Sequence, residues 1–314
     1  MTQKSKLNNP IMIAAWPGMG HVAVAACYYL IAKLEMQFRS EYAGSDLFDV
    51  DHVAVKAGLV QPFQYPKNQF FTWSNPNGGS DLLIFIGEAQ PPIGRYNFCR
   101  KLIDYALGEG VTKIFTFAAM ATAIDFQDES SVIGVATDAE TVQQLLANDV
   151  GLLNNGSISG MNGILLGVAS ERKIPGGCLL GEMPASLVNL PYPRASLAVL
   201  KSFGKLTETE FDLEELQLEV HRMDEHLIEA LNQFRRLEQD GGIQTPDDEE
   251  TFIPDPTENG KLSADEEALL ENLFEEAKQN RAKAFKLKHE LDRLNVFREY
   301  EDRFLDLFKV DENE

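Results

Sequence analysis

The chain has 314 residues, 44% of them hydrophobic, and carries 49 Asp and Glu against 28 Lys and Arg, a formal net charge of −21 at pH 7. That length accommodates a large core plus a further element, while so acidic a balance speaks against nucleic acid or an anionic membrane surface as a partner. The charge is uneven, with 15 basic and 17 acidic residues in 1–206 but 13 and 32 in 207–314, which divides the chain into a near-neutral domain and an acidic appendage.

In chain order, Met1–Asn9 is polar and lacks a signal-peptide pattern. No segment approaches the roughly 18 apolar residues that a membrane-spanning helix needs. Ile11–Ile13 reads as a short buried strand, Trp16-Pro-Gly-Met-Gly20 as a glycine turn, and Val22–Leu34 as an alanine-rich helix packed on a sheet. Gly18, Gly20 and Ala23 fit G-x-G-x-x-[GA], so the turn is open to two readings, a phosphate cradle or a plain corner. The acidic ribose partner expected about 20 residues on is not cleanly placed, since Glu35 and Glu41 lie around the helix end and Asp49 and Asp51 come late. No P-loop is present either, and the structural turn is the preferred reading.

Strands are expected at Val50–Val55, Asp81–Ile86, Thr112–Phe117 and Ser131–Val135, with helices at Tyr96–Ala106 and Glu140–Leu146. Short, almost wholly apolar strands alternating with helices predict an α/β fold with a mainly parallel sheet covered on both faces. His21 follows the glycine turn and Glu88 ends a strand in Ile-Gly-Glu-Ala-Gln, at the edge where such sheets place ligands. Gly18, Gly20, His21 and Glu88 are therefore the candidate ligand residues. The bland alternative has His21 capping the turn and Glu88 bonding loop amides. The glycine-rich segments Gly156–Gly163 and Pro175–Met183 could each close around a ligand with backbone amides or be closely packed turns, and with no charged partner in either the packing reading is preferred.

No H-E-x-x-H, G-x-S-x-G or zinc spacing occurs, so no catalytic set, metal or cofactor is expected. Cys27, Cys99 and Cys178 form no C-x-x-C and read as small buried hydrophobes in a reducing cytoplasm.

The second part is helical. Leu213, Leu216, Val220, Met223, Leu227, Ala230, Phe234 and Leu237 follow the 3-4 spacing of a coiled-coil seam. A loop at 241–262 interrupts it, and a second helix starts at Ser263, whose capping box is completed by Glu266. Its stripe runs through Leu270, Leu273, Ala277, Ala284, Leu287, Leu291 and Leu294, then shifts to Phe297, Phe304 and Phe308. The expected arrangement is an acidic antiparallel helical hairpin over 207–314.

Taken in order, Trp16-Pro-Gly-Met-Gly20, Leu82-Leu-Ile-Phe-Ile-Gly-Glu88, Ser159-Gly-Met-Asn-Gly-Ile-Leu-Leu-Gly167, Leu179-Leu-Gly-Glu182 and Pro191-Tyr-Pro-Arg-Ala-Ser-Leu-Ala-Val-Leu200 resemble the prokaryotic branch of the proteasome assembly chaperone family. The resemblance covers roughly residues 10–204. It implies a three-layer α/β/α sandwich of the phosphorylase/hydrolase-like kind, non-catalytic work, proteasome α-subunits as the client to consider, and homo-oligomers with the trimer favoured. Archaeal members that engage the proteasome can end in a hydrophobic-Tyr-any tripeptide, whereas this chain ends Val310-Asp-Glu-Asn-Glu314. The leading expectation is a non-enzymatic cytoplasmic assembly chaperone or scaffold that self-associates through the α/β domain and contacts a protein client with the acidic helical hairpin. The alternative is a small-molecule or nucleotide-binding enzyme or sensor built on Gly18, Gly20, His21 and Glu88.

Overall fold

A buried hydrophobic strand, Ile11–Ala15 (β1), starts the fold, as its unbroken apolar run requires. The computed structural model describes residues 6–42, 44–49, 53–56, 58–239, 262–294 and 296–308. The expected loop at 241–262 and the terminal Val310–Glu314 therefore lie almost wholly outside the described residues, as do the side chains of Phe234 and Leu237.

A 3-10 turn at Met19–His21 leads from β1 into α1 (Val22–Lys33). There follow β2 (Gln37–Glu41), β3 (Val55–Lys56), β4 (Leu59–Val60), β5 (Asn68–Trp73), β6 (Leu82–Gly87) and α2 (Arg95–Gly108). Next come β7 (Lys113–Thr122), β8 (Val132–Ala136), α3 (Ala139–Ala147), β9 (Gly151–Leu152), α4 (Gly160–Glu171), β10 (Gly176–Pro184) and α5 (Pro193–Thr207).

Eight strands form one sheet in the order β2-β5-β6-β1-β7-β10-β8-β9. Its centre, β6-β1-β7-β10, is wholly parallel, and β6, β1 and β7 are the apolar runs that called for cover on both faces. The strand β10 corrects the reading of Pro175–Met183 as a turn, since Gly176 and Gly177 serve there to let the backbones of Ile114 and Val135 come close. Antiparallel partners extend it on either side, β5 and β2 beyond β6, and β8 beyond β10. On one face α2 and α4 pack together over Met12, Ala14, Leu83 and Phe85, burying Phe98, Leu102, Met161 and Leu165. On the other, α1 packs against α5, and Phe203 of α5 meets Phe115 and Phe117 of β7 edge-on at 5.6 and 5.4 Å. The result is the expected three-layer α/β/α sandwich with a mainly parallel sheet.

The strand expected at Val50–Val55 is corrected. Residues 50–52 lie outside the described ones, Val53 and Ala54 are not in a strand, and Val55 begins β3, which pairs only with β4 in a separate two-stranded sheet. The alternation of valines mimics a half-buried strand, yet Val53 and Val55 are exposed, at 43% and 64%. The edge pair β2 and β5 was not expected, because Gln, Arg, Ser and Glu in β2 break the apolar pattern.

The chain divides into two compact units, one of the described residues up to Gln217 together with Phe308, the other Leu218–Leu307. Within the first unit, the Lys33 ammonium lies 2.7 Å from Asp212 and 3.3 Å from Glu215, while the Tyr29 hydroxyl donates to the Asp212 carbonyl. These bonds anchor the start of α6 (Glu214–Gln239) on α1. Phe308 also belongs to this unit. Its carbonyl accepts from the Phe38 amide of β2 at 2.9 Å, and its fully buried ring stands edge-on to Phe71.

The second unit is helical, as expected. The Ser263 capping box is present, with the Ser263 hydroxyl accepting from the Glu266 amide and the Glu266 carboxylate accepting from the Ser263 amide. The single helix expected from there is in fact three, α7 (Ala264–Gln279), α8 (Ala284–Arg293) and α9 (Phe297–Asp306). Asn280 leaves the helix at φ −146°, ψ 101°, in a polar Lys-Gln-Asn-Arg run with no apolar side chain to hold a further turn. Leu270, Leu273, Ala277, Ala284, Leu287 and Leu291 are nonetheless all buried, because α7 and α8 pack against one another across the break and α9 packs on α8. Arg303 of α9 forks onto Glu271 of α7 and lies 3.9 Å over the Phe274 ring.

Candidate functional site

The carboxyl ends of the parallel strands β1 and β7, together with the start of α4, enclose a cleft of about 590 Å³. Trp16, Pro17, Gly18 and Met19 form one wall, and Ala118–Ala121 of β7 with Leu180 of β10 another. The glycine-rich 156–160 segment and Asn162 close it. This is the edge at which open α/β sheets receive ligands, because loops after parallel strands diverge there.

The side chain of Gln90 joins two of these walls, its Nε2 donating to the Pro17 carbonyl at 2.9 Å and its Oε1 accepting from the Met161 amide at 3.2 Å. Asn162 Nδ2 donates to the Phe117 carbonyl at 3.0 Å and ties α4 to β7. Neither residue was singled out from the sequence. Their only signal was position, Gln90 two residues past Glu88 and Asn162 inside the glycine-rich segment.

The four candidate residues separate. Gly18 lines the cleft, whereas Gly20, His21 and Glu88 are not among its lining residues. Gly20 is a structural glycine. Its φ is +58°, a Cβ there would meet Met183 Cε at 2.8 Å, its amide donates to the Val188 carbonyl, and its carbonyl accepts from the Tyr192 amide. The His21 amide donates to the Gly18 carbonyl at 3.1 Å, and His21 is exposed at the first residue before α1. Those two amides are donated inside the chain. Glu88 accepts from the Lys67 amide through its carboxylate at 2.7 Å and donates its own amide to the Lys67 carbonyl, fixing the entry to β5.

Charge is missing from the cleft itself, for among the described residues none that lines it is ionisable. No group of three His, Cys, Asp or Glu side chains poised for a metal occurs among the described residues. The three cysteines are buried, and burial pushes the Cys99 and Cys178 thiols up to about 12 and raises Cys27 as well, so none presents a thiolate. Among the described residues no helix is long and apolar enough to cross a membrane.

The sequence profile of the PAC2 family matches residues 12–231, from the second residue of β1 well into α6. The chain belongs to the PAC2 family. An uncharacterised protein of Methanocaldococcus jannaschii is 28% identical over 231 residues, which span 73% of this chain and 85% of that one. Among solved structures, PbaB of Pyrococcus furiosus, described as an archaeal proteasome activator, superposes with a TM-score of 0.62 at 25% identity, covering 73% of this chain and 96% of its own. PbaA from the same organism, described as an archaeal homolog of proteasome-assembly chaperone, gives 0.56 at 25% identity over 75% and 93%. A Mycobacterium tuberculosis proteasome-assembly chaperone homologue shares the fold at 18% identity, with a TM-score of 0.61 over 70% and 94%. The PAC2 fold thus accounts for the α/β unit.

Proposed function

We propose that this PAC2-family chain is a non-enzymatic assembly chaperone or scaffold that self-associates, with the trimer as the state to test, and holds a protein client, proteasome α-subunits first among those to try. The carrying observation is the likeness to PbaB and PbaA at 25% identity over nearly their whole lengths, one described as a proteasome activator and the other as a homolog of the assembly chaperone. The surface supports the reading. Val53, Val55, Leu59, Val60, Phe63 and Tyr65, all in the segment around β3 and β4, are large and exposed. So concentrated an apolar display on a two-stranded hairpin suits a protein partner better than solvent.

Crosslinked affinity capture from the source lysate, read by mass spectrometry, tests it, with a Val55→Ser/Leu59→Ser/Val60→Ser variant alongside. Recovery of proteasome α-subunits with the natural chain and their loss with the variant is the expected result. Recovery of neither α-subunits nor any other specific protein counts against a chaperone role. Light scattering tests self-association, and a mass of one protomer at micromolar concentration rejects it.

A further inference from the structure

The cleft beyond β1 holds more open space than a corner of the fold requires. Gly18 is extended, with φ −164° and ψ −170°, a conformation open to any residue, and a Cβ on it meets nothing within 4 Å. Neither the backbone nor packing asks for glycine there, in contrast to Gly20 two residues on. Gly18 is an exposed residue on the wall of the cleft, where a larger side chain would have open space to occupy, and Ala118, Ala119 and Ala121 line the cleft together with Met120. At about 590 Å³, this half-open cleft lies within the size range of small-molecule pockets. It is also pre-formed, since the Gln90 bridge between Pro17 and Met161 holds the walls apart without a ligand's help.

The lining sets the chemistry. The β7 residues Ala118–Ala121 and Leu180 give an apolar lining, with Trp16 almost wholly buried, while the exposed residues Ser157 and Ser159 line one side. Ser159 precedes α4 without capping it, so its hydroxyl is not spent on the helix. With no ionisable side chain in the wall, a charged ligand would shed its hydration without a counter-charge. We propose that this cleft binds an uncharged small molecule of one or two rings, with hydroxyl or amide groups facing Ser157 and Ser159.

The test is ligand-observed NMR on the full chain with indole, benzamide and adenosine, each beside its anionic counterpart, indole-3-acetate, benzoate or AMP. Trp16 fluorescence in a Trp73→Phe background gives a second readout at the cleft. Saturable binding of at least one uncharged probe is expected, weakened at least tenfold in Gly18→Leu with an unchanged circular dichroism spectrum. Ala121→Leu, at an exposed wall position, is the second blocking variant should Gly18→Leu fail to fold. No saturable binding of any uncharged probe, binding untouched by the blocking variant, or preference for the anionic members overturns the proposal. Client capture is read separately, so loss of either result leaves the other standing.

Discussion

Two glycines two residues apart answer to different physics. Gly20 sits in the left-handed region against Met183, so Gly20→Ala is expected to cost at least about 1–2 kcal/mol from backbone strain alone. Gly18→Ala should stay within about 0.5 kcal/mol, having neither strain nor a clash to meet. Thermal melts of the two variants check the contrast, and equal shifts would refute it. Asp138 is a second residue with a defined role, capping α3 by accepting from the Thr141 amide at 2.9 Å and its hydroxyl at 2.7 Å. Partial burial works to raise its carboxyl, but those bonds, with further ones from Gly176 and Thr137, outweigh burial and hold it below the ordinary aspartate range. Its stabilisation is therefore present at neutral pH and lost as the pH falls through that lowered value. Asp138→Ala should cost about 1 kcal/mol at pH 7, read by denaturant unfolding, and less in acid.

Elements show where pattern ends and context begins. β1, β6 and β7 are legible because a central parallel strand must be apolar on both faces, and α7 is legible because Ser263 and Glu266 close its first turn. β2 was not legible. Its polar sequence suits an edge, and the edge is covered only because Phe308, some 270 residues away in sequence, lays its carbonyl on the Phe38 amide. Phe308→Ala should accelerate hydrogen exchange at Phe38 well above that at Phe71 of β5, and no change there would mean that the contact is not held in solution. In the helical unit, the Arg303 fork on Glu271 holds that carboxyl below its usual range. Folding gains from this pair above the ordinary glutamate value of about 4.3 and loses it as the pH drops below. Because Glu271 is largely exposed the gain is small, and Glu271→Gln should flatten only the acid limb of the unit's stability curve.

At the scale of the whole molecule, a net charge of −21 sets up self-repulsion concentrated in residues 207–314. Raising NaCl from low to physiological ionic strength should therefore raise the melting temperature, most clearly for the helical unit, as the Debye length falls to about 8 Å. Calorimetry at several salt concentrations checks this, and an insensitive melt would show that the charges are already compensated locally. Two compact units predict that the transition need not be a single one.

The sequence by itself determined the α/β class, the parallel centre, the helical acidic second part and the family resemblance. Each of these depends on hydrophobic periodicity or on local motifs that act within a few residues. Only the tertiary structure decided the antiparallel flanks, the break at Asn280, the docking of Phe308 and the fate of the glycine turn. The expectation that sheet carboxyl ends gather ligands put Gly18, Gly20, His21 and Glu88 at one cleft, but the fold turned Gly20 into a corner and Glu88 into a clamp on Lys67, leaving Gly18 at the cleft beside Gln90 and Asn162. Such choices rest on which distant backbone groups and side chains meet, and pairings across 70 residues or more leave no periodic trace in a single chain.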